Sequence, residues 1–220
     1  MRHVPHLLVP QPWQGESLAL DDRTKHHVRR VLRLNDGAAL SYTDGQGRTG
    51  EGVLHDGGLV RGGESYLPPP VAKLTVAVAA PRSTDRVRFL VEKLGELGVH
   101  RLAWLHTEWT SGRPPRAEKA RAWAQEALEQ SRGVWAMQID DEMVQIGDLR
   151  GTILVADPSG APATPIETDT TLVVGPEGGL TSEERIGILV RLGERILRVE
   201  TAAIVGAALL TRNTTERGDN

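Results

Sequence analysis

The chain has 220 residues, 39% of them hydrophobic, enough to build one large domain or two small ones. It contains no cysteine, which excludes disulfides, thiol nucleophiles and cysteine zinc sites and fits a cytoplasmic protein. A formal charge of −3 neither announces nor excludes a nucleic-acid partner, and no apolar run is long enough for a membrane span or a signal-peptide core.

From the N-terminus, short β-like runs at 6–9, 38–43, 50–55 and 59–61 are separated by Asp-Gly, Gly-Gln-Gly and Asp-Gly-Gly turns. That spacing predicts a small barrel or sandwich, about as compact as a nucleic-acid-binding β module. Residues 22–34 read as a helix set into it. Lys25, Arg29 and Arg33 fall at i, i+4 and i+8, with His26 and Arg30 beside them and Val28, Val31 and Leu32 opposite. Between 21 and 33, five cations (Arg23, Lys25, Arg29, Arg30, Arg33) stand against Asp21 and Asp22, a net +3. Such a stripe reads either as a solvated face or as a phosphate contact.

A proline-rich break at 67–70 divides the chain. Beyond it, strands are expected at 73–80, 100–106, 152–156 and 172–174. Helices are expected at 84–95, with Val87, Leu90, Val91 and Leu94 on one face, and at 116–132, with Ala120, Trp123, Ala124, Ala127 and Leu128 inward. The alternation predicts a mostly parallel sheet covered by helices. Further basic groups lie at Arg82, Arg86 and Arg88 and at Arg113, Arg116, Lys119 and Arg121, and Arg82 follows a strand end. The histidines match no zinc spacing, so no metal is expected. The five tryptophans read mostly as core residues, and Trp109 and Trp135, outside a clear periodic pattern, read either so or as surfaces for base stacking. Residues 214–220 are expected to fray.

The last third carries the most chemistry. A buried strand signal, Thr171-Leu172-Val173-Val174, runs into Gly175-Pro176-Glu177-Gly178-Gly179, where glycine lets another molecule approach the main chain. Thr181-Ser182-Glu183-Glu184 then reads as a capping box opening a helix. No Gly-Lys-Ser/Thr follows, which excludes a Walker-type loop. Next comes a strand signal at 196–198, and the run 202–210 is apolar on every side, so it must be buried in the domain, in a subunit interface, or in both. Two loops at one sheet edge make a ligand site, although Gly-Pro-Glu-Gly-Gly reads equally as a plain turn. Arg198 and Glu200, at the mouth of an apolar element, read as a structural pair or as part of that site.

The glycine loop, followed by Leu192-Gly193-x-Arg195-Ile196-Leu197-Arg198-x-Glu200-Thr201-Ala202, resembles the 16S ribosomal RNA uridine-N3 methyltransferase family of the SPOUT superfamily. Val31-Leu32-Arg33 before Asp36-Gly37, Asp44-Gly45, Glu92-Lys93-x-x-Glu96-Leu97-Gly98-Val99 and Glu129-Gln130-Ser131 extend the likeness over most of the chain. The resemblance implies a PUA-like β-barrel for RNA at 1–68 and a SPOUT α/β domain at 71–216, its parallel sheet closed by a trefoil knot. It also implies a homodimer and S-adenosylmethionine held by the main chain of three loops. Those loops comprise Val155, Ala156, Asp157 and Pro158; Val174, Gly175, Pro176, Glu177, Gly178 and Gly179; and Leu192, Gly193, Ile196, Leu197, Arg198, Thr201 and Ala202. The implied substrate is a uridine of 16S ribosomal RNA, free or in the small subunit. Arg198 would be the cation beside a uracil oxygen, and Glu200 a base or the group orienting Arg198. Lys25, Arg29, Arg30, Arg33, Arg82 and Arg132 would meet RNA. Two departures stand out: Trp109-Thr110-Ser111 follows Glu108 where the family has Arg and a small residue, and Arg132-Gly133 replaces Gly-Arg. Other readings are a SPOUT enzyme for another RNA position, a non-catalytic RNA-binding or assembly factor, and a small-molecule α/β enzyme binding phosphate on the glycine loops.

Overall fold

A computed structural model describes residues 4–211, so the fraying expected at 214–220 lies outside the described residues. The chain separates into two compact units, residues 1–69 with 128–136, and 70–127 with 137–220.

In the first unit, β1 (His6–Leu8), β2 (Ser17–Ala19), β3 (Ala39–Thr43), β4 (Arg48–His55) and β5 (Gly58–Tyr66) form one sheet in the order β1-β3-β4-β5-β2. β1 runs parallel to β3 and the other pairs are antiparallel. Alternate residues point into a core of Leu7, Leu18, Leu40, Tyr42, Leu54 and Leu59. Trp13 packs edge-on to Tyr42 at 4.8 Å and donates its indole N–H to the Val9 carbonyl at 2.8 Å. The Tyr42 hydroxyl donates to Glu64 at 2.7 Å, and burial with that carboxylate pushes its pKa up to about 12. Residues 134–136 run alongside the 45–47 turn, with Gly47 N–H on the Val134 carbonyl and Ala136 N–H on the Gly45 carbonyl, both 2.8 Å. Trp135 is thereby committed inside this unit, edge-on to Tyr66 at 6.2 Å.

The helix expected at 22–34 is shorter and differently wound. α1 (Asp22–His26), capped by Asp21 accepting from the Thr24 N–H at 2.7 Å, passes into a π-helical turn at His27–Val31. The wider winding, with Leu32 N–H on the His27 carbonyl at 2.9 Å, breaks the i, i+4 register. Only Val28 is buried in that turn, Val31 is 61% exposed, and Arg33 has φ +54. The expected single basic stripe is therefore split.

The second unit holds six parallel strands in the order β11-β9-β10-β6-β7-β8. In chain order these are β6 (Leu74–Val78), β7 (Arg101–Leu105), β8 (Gln138–Val144), β9 (Thr152–Pro162), β10 (Thr170–Val174) and β11 (Ile188–Arg191), with helices α2 (Thr84–Glu96), α4 (Val199–Leu210) and α3 (Ala117–Ser131) as far as residue 127, the rest of α3 belonging to the first unit. β10 is buried along its whole length, as a strand covered on both faces must be. Leu90, Val91 and Leu94 of α2 join Leu172, Ala203, Ala207 and Leu210 in one core. Burial of each large aliphatic side chain contributes roughly 1.5–3 kcal/mol. Gly206 lets α4 press onto β10, since a Cβ there would strike Leu172.

Three expectations are corrected. The capping box forms, with Thr181 N–H on Glu184 Oε2 at 3.0 Å and Glu184 N–H on Thr181 Oγ1 at 3.3 Å, but no helix follows. After that one turn Gly187, at φ +142, turns the chain against Ile153 and into β11. The segment 196–198 is not a strand; Arg198 is instead the N-cap of α4. β8 and β11, both edge strands, lie where none was expected.

Candidate active site

Sheet register sets the site. Val155, Val173, Ala77 and Ala103 form one row across four neighbouring strands. Just past this row the chain leaves the sheet, and crevices at such carboxyl ends are where open α/β sheets take ligands.

Three segments converge there. Val155 pairs with Leu189 but Ala161 with Val190, so residues 156–160 bulge out of the ladder. Gly160 closes the bulge against β11; a Cβ there would lie 2.6 Å from the Leu189 carbonyl oxygen. Within it, Asp157 accepts from the Ser159 N–H at 2.9 Å and its hydroxyl at 2.6 Å, which holds the carboxyl below its ordinary range, and Arg185 lies 3.5 Å away. The second segment is a tight turn after β10, with Gly179 at φ +82 and its N–H on the Pro176 carbonyl at 2.8 Å. The third runs from Leu192 to the N-cap of α4.

Together they enclose a cavity of about 440 Å³. Of the residues expected there, Ala156, Asp157, Pro158, Val174, Gly175, Pro176, Glu177, Gly179, Leu192, Gly193, Ile196, Leu197, Arg198 and Ala202 line it. Val155, Gly178 and Thr201 do not: Val155 is buried in the sheet, Gly178 packs beside Trp109, and Thr201 faces outward on α4. Leu180, Arg185 and Arg191 line it from outside the three expected loops, and Arg195 and Val199 line it from within the expected loop 192–201 without having been singled out. Arg195 stood inside the motif, whereas Arg185 and Arg191 were hidden by the helix wrongly expected at 181.

Arg198 is exposed on the cavity wall and has no ion pair among the described residues. Of the two readings of Arg198 and Glu200, the structural pair is not formed. Glu200 is 7% exposed and does not line the cavity; its Oε1 lies 3.6 Å from Arg86 Nε of α2, and its buried Oε2 has no hydrogen-bond partner. A carboxylate in the first turn of α4 is favoured by the helix dipole.

The residues expected to meet RNA fall in both units. In the first unit Arg30 and Arg33 are exposed, Lys25 is half-buried, and Arg29 is ion-paired with Asp36. Arg132 donates to the Val4 carbonyl at 2.6 Å. In the second unit Arg82 is exposed and donates to Ser111 Oγ at 2.8 Å. No group of three potential metal ligands occurs among the described residues.

A parallel α/β unit with a loop-built cavity at its strand ends and an unpaired arginine on the wall defines a small-ligand site of the kind that group-transfer enzymes use. Its relatives are more specific. A family described as RNA methyltransferase domain matches residues 68–211. A ribosomal RNA small subunit methyltransferase E from Rickettsia conorii is 30% identical over 85% of this chain and 86% of its own length. A probable rRNA-methyltransferase of Porphyromonas gingivalis has the same fold, with TM-score 0.78, 25% identity and coverage of 93% of this chain and 95% of its own. So does a ribosomal RNA small subunit methyltransferase E from Neisseria gonorrhoeae bound to S-adenosyl methionine, with TM-score 0.81, 23% identity and coverage of 94% and 96%. The chain belongs to this family of RNA methyltransferases, that of ribosomal RNA small subunit methyltransferase E.

Proposed function

We propose that the protein methylates N3 of a uridine in 16S ribosomal RNA, free or within the small subunit, using S-adenosylmethionine. The observation that carries this reading is the convergence of three loops on one cavity with Arg198 unpaired on its wall. The cavity suits the cofactor: its volume falls in the range of small-molecule sites, Leu180, Leu192, Ile196 and Leu197 offer apolar wall, and glycines expose main chain. Asp157 and Glu177 offer carboxylates to a cationic ligand.

When bound, S-adenosylmethionine supplies an electrophilic methyl group. The remaining work falls to this chain. Arg198, beside a uracil oxygen, stabilises the negative charge that spreads over the ring as the N3 proton is lost to solvent, and the loops hold N3 in line with the methyl carbon. Glu200 is not placed for proton transfer. It acts as a positioning residue, its pair with Arg86 fixing the first turn of α4 and so the N-cap Arg198.

The same reading makes residues 1–68 a PUA-like barrel, with Lys25, Arg30 and Arg33 on phosphates, and residues 71–216 the knotted catalytic domain. Support for the knot comes from β11 pairing at the outer edge of β9 while 192–198 returns to the strand ends. Exposed Ile186, Ile188 and Ile196, with Ala208 on α4, support a homodimer that covers them. No helix among the described residues is long and apolar enough to cross a membrane. A ribosomal RNA substrate is what supports a cytoplasmic location in this reading. A mass-spectrometric nucleoside map of 16S RNA from cells with and without the gene tests the reading. Loss of one N3-methyluridine on deletion, restored by the wild-type chain, is expected; an unchanged map would overturn it.

A further inference from the structure

The loop after β7 carries a large aromatic group at the rim of the cavity. Thr107 and Thr110 tie it into a tight turn, with Thr110 N–H on the Thr107 carbonyl at 3.1 Å and the two hydroxyls 2.8 Å apart. Trp109, at the tip, remains 55% exposed. Its root packs on the glycine turn: a Cβ at Gly178 would lie 3.0 Å from Trp109 Cβ and 3.3 Å from Cγ, and the six-membered ring is not among the nearest atoms. Gly178 sits between cavity-lining Glu177 and Gly179. The turn is fastened from both sides, since Glu108 N–H donates to Glu184 Oε1 at 2.8 Å and Gly112 packs against Ala80. Arg82 is held two residues away on Ser111.

An exposed indole on a loop costs solvation and gains little packing, so a fixed one beside a ligand cavity asks for a partner. Exposed Glu108 and Glu177 disfavour a phosphate there, whereas a neutral base face is indifferent to them. We infer that Trp109 is a stacking platform for an unstacked base of the substrate RNA, holding it at the rim of the cavity. This rests on the methyltransferase reading. It makes Trp109 a determinant of RNA affinity and not of cofactor affinity.

The test compares wild type with Trp109→Leu, Trp109→Phe and Trp109→Tyr. Methyl transfer from labelled S-adenosylmethionine to small ribosomal subunits lacking the modification is measured alongside the cofactor Kd and Tm. Loss of one base stack predicts a fall in kcat/KM for RNA of about 5- to 150-fold in Trp109→Leu, recovered in Phe and Tyr, with cofactor Kd unchanged. Leu equal to wild type, or Phe and Tyr as poor as Leu, would overturn the inference. Fluorescence gives an independent reading that needs no truncation: oligouridine should quench wild type more than Trp109→Phe, and equal quenching would overturn the inference. Wild type that transfers no methyl group to any RNA would overturn the functional reading, and this inference with it.

Discussion

The cavity of the second unit and the basic turn of the first are held in place by different physics. Each cavity loop leaves the sheet or enters a helix within a residue or two of buried neighbours: Val155 and Val174 in strands, Val199 in α4. The basic turn rests on a five-residue helix and a π turn with Val28 as its single buried residue. Methyl transfer requires atoms placed within a fraction of an ångström, which a packed sheet supplies. Phosphate attraction falls slowly with distance and tolerates a loosely held arginine. The two regions should therefore respond differently to substitution: sharply at the cavity, gradually at the turn.

The sharpest break is expected at Arg198. Arg198→Ala should lower the single-turnover methylation rate by about 10²- to 10³-fold, the cost of removing one preorganised charge-stabilising donor, with Lys restoring part of it. Next comes the bulge. Gly160→Ala forces a Cβ against Leu189 and should cost about 1–3 kcal/mol in denaturant unfolding, with weaker cofactor binding. Arg86→Ala leaves the buried Glu200 carboxylate without its cation. A loss of about 1 kcal/mol is expected by thermal unfolding, small because Arg86 is itself part-exposed, and Glu200→Gln in the same background should recover it.

At the turn the response should be graded. Alanine at Lys25, Arg30 and Arg33 together should flatten the salt dependence of RNA binding, by about 0.7 in logarithmic slope for each phosphate no longer neutralised, with kcat unchanged. Arg29→Ala should do less, because Arg29 is already paired with Asp36. The smallest effect is a pH dependence in the first unit. Burial, offset in part by the Gly133 carbonyl that accepts from Nε2 at 3.1 Å, holds the His6 pKa below 6.5. The folded state then binds that proton less readily than the unfolded chain. The stability that neutral His6 contributes is complete above pH 6.5 and is lost as pH falls through the lower folded value. Thermal unfolding between about pH 7 and 5 should show this slope, and His6→Gln should flatten it.

The same contrast decides what could be read from the residues. β10 and its glycine turn were legible because a strand buried on both faces is uniformly apolar and a turn that admits a ligand needs glycine. β8 was not, since an edge strand reading Gln-Ile-Asp-Asp-Glu-Met-Val buries only Ile139 and carries charge outward. The capping box at Thr181 signalled a local turn truthfully, yet pairing of 188–191 with β9 outweighed the helix it would have opened. The basic stripe failed for a related reason: its spacing assumed 3.6 residues per turn, and the π winding at His27–Val31 redirected the later arginines.

Hydrogen–deuterium exchange with and without S-adenosylmethionine tests the central claim most directly. If the three loops form one cofactor site, protection should rise together at 156–160, 175–180 and 192–198 and stay unchanged at 22–34. Protection confined to one loop, or appearing only in the first unit, would contradict the account.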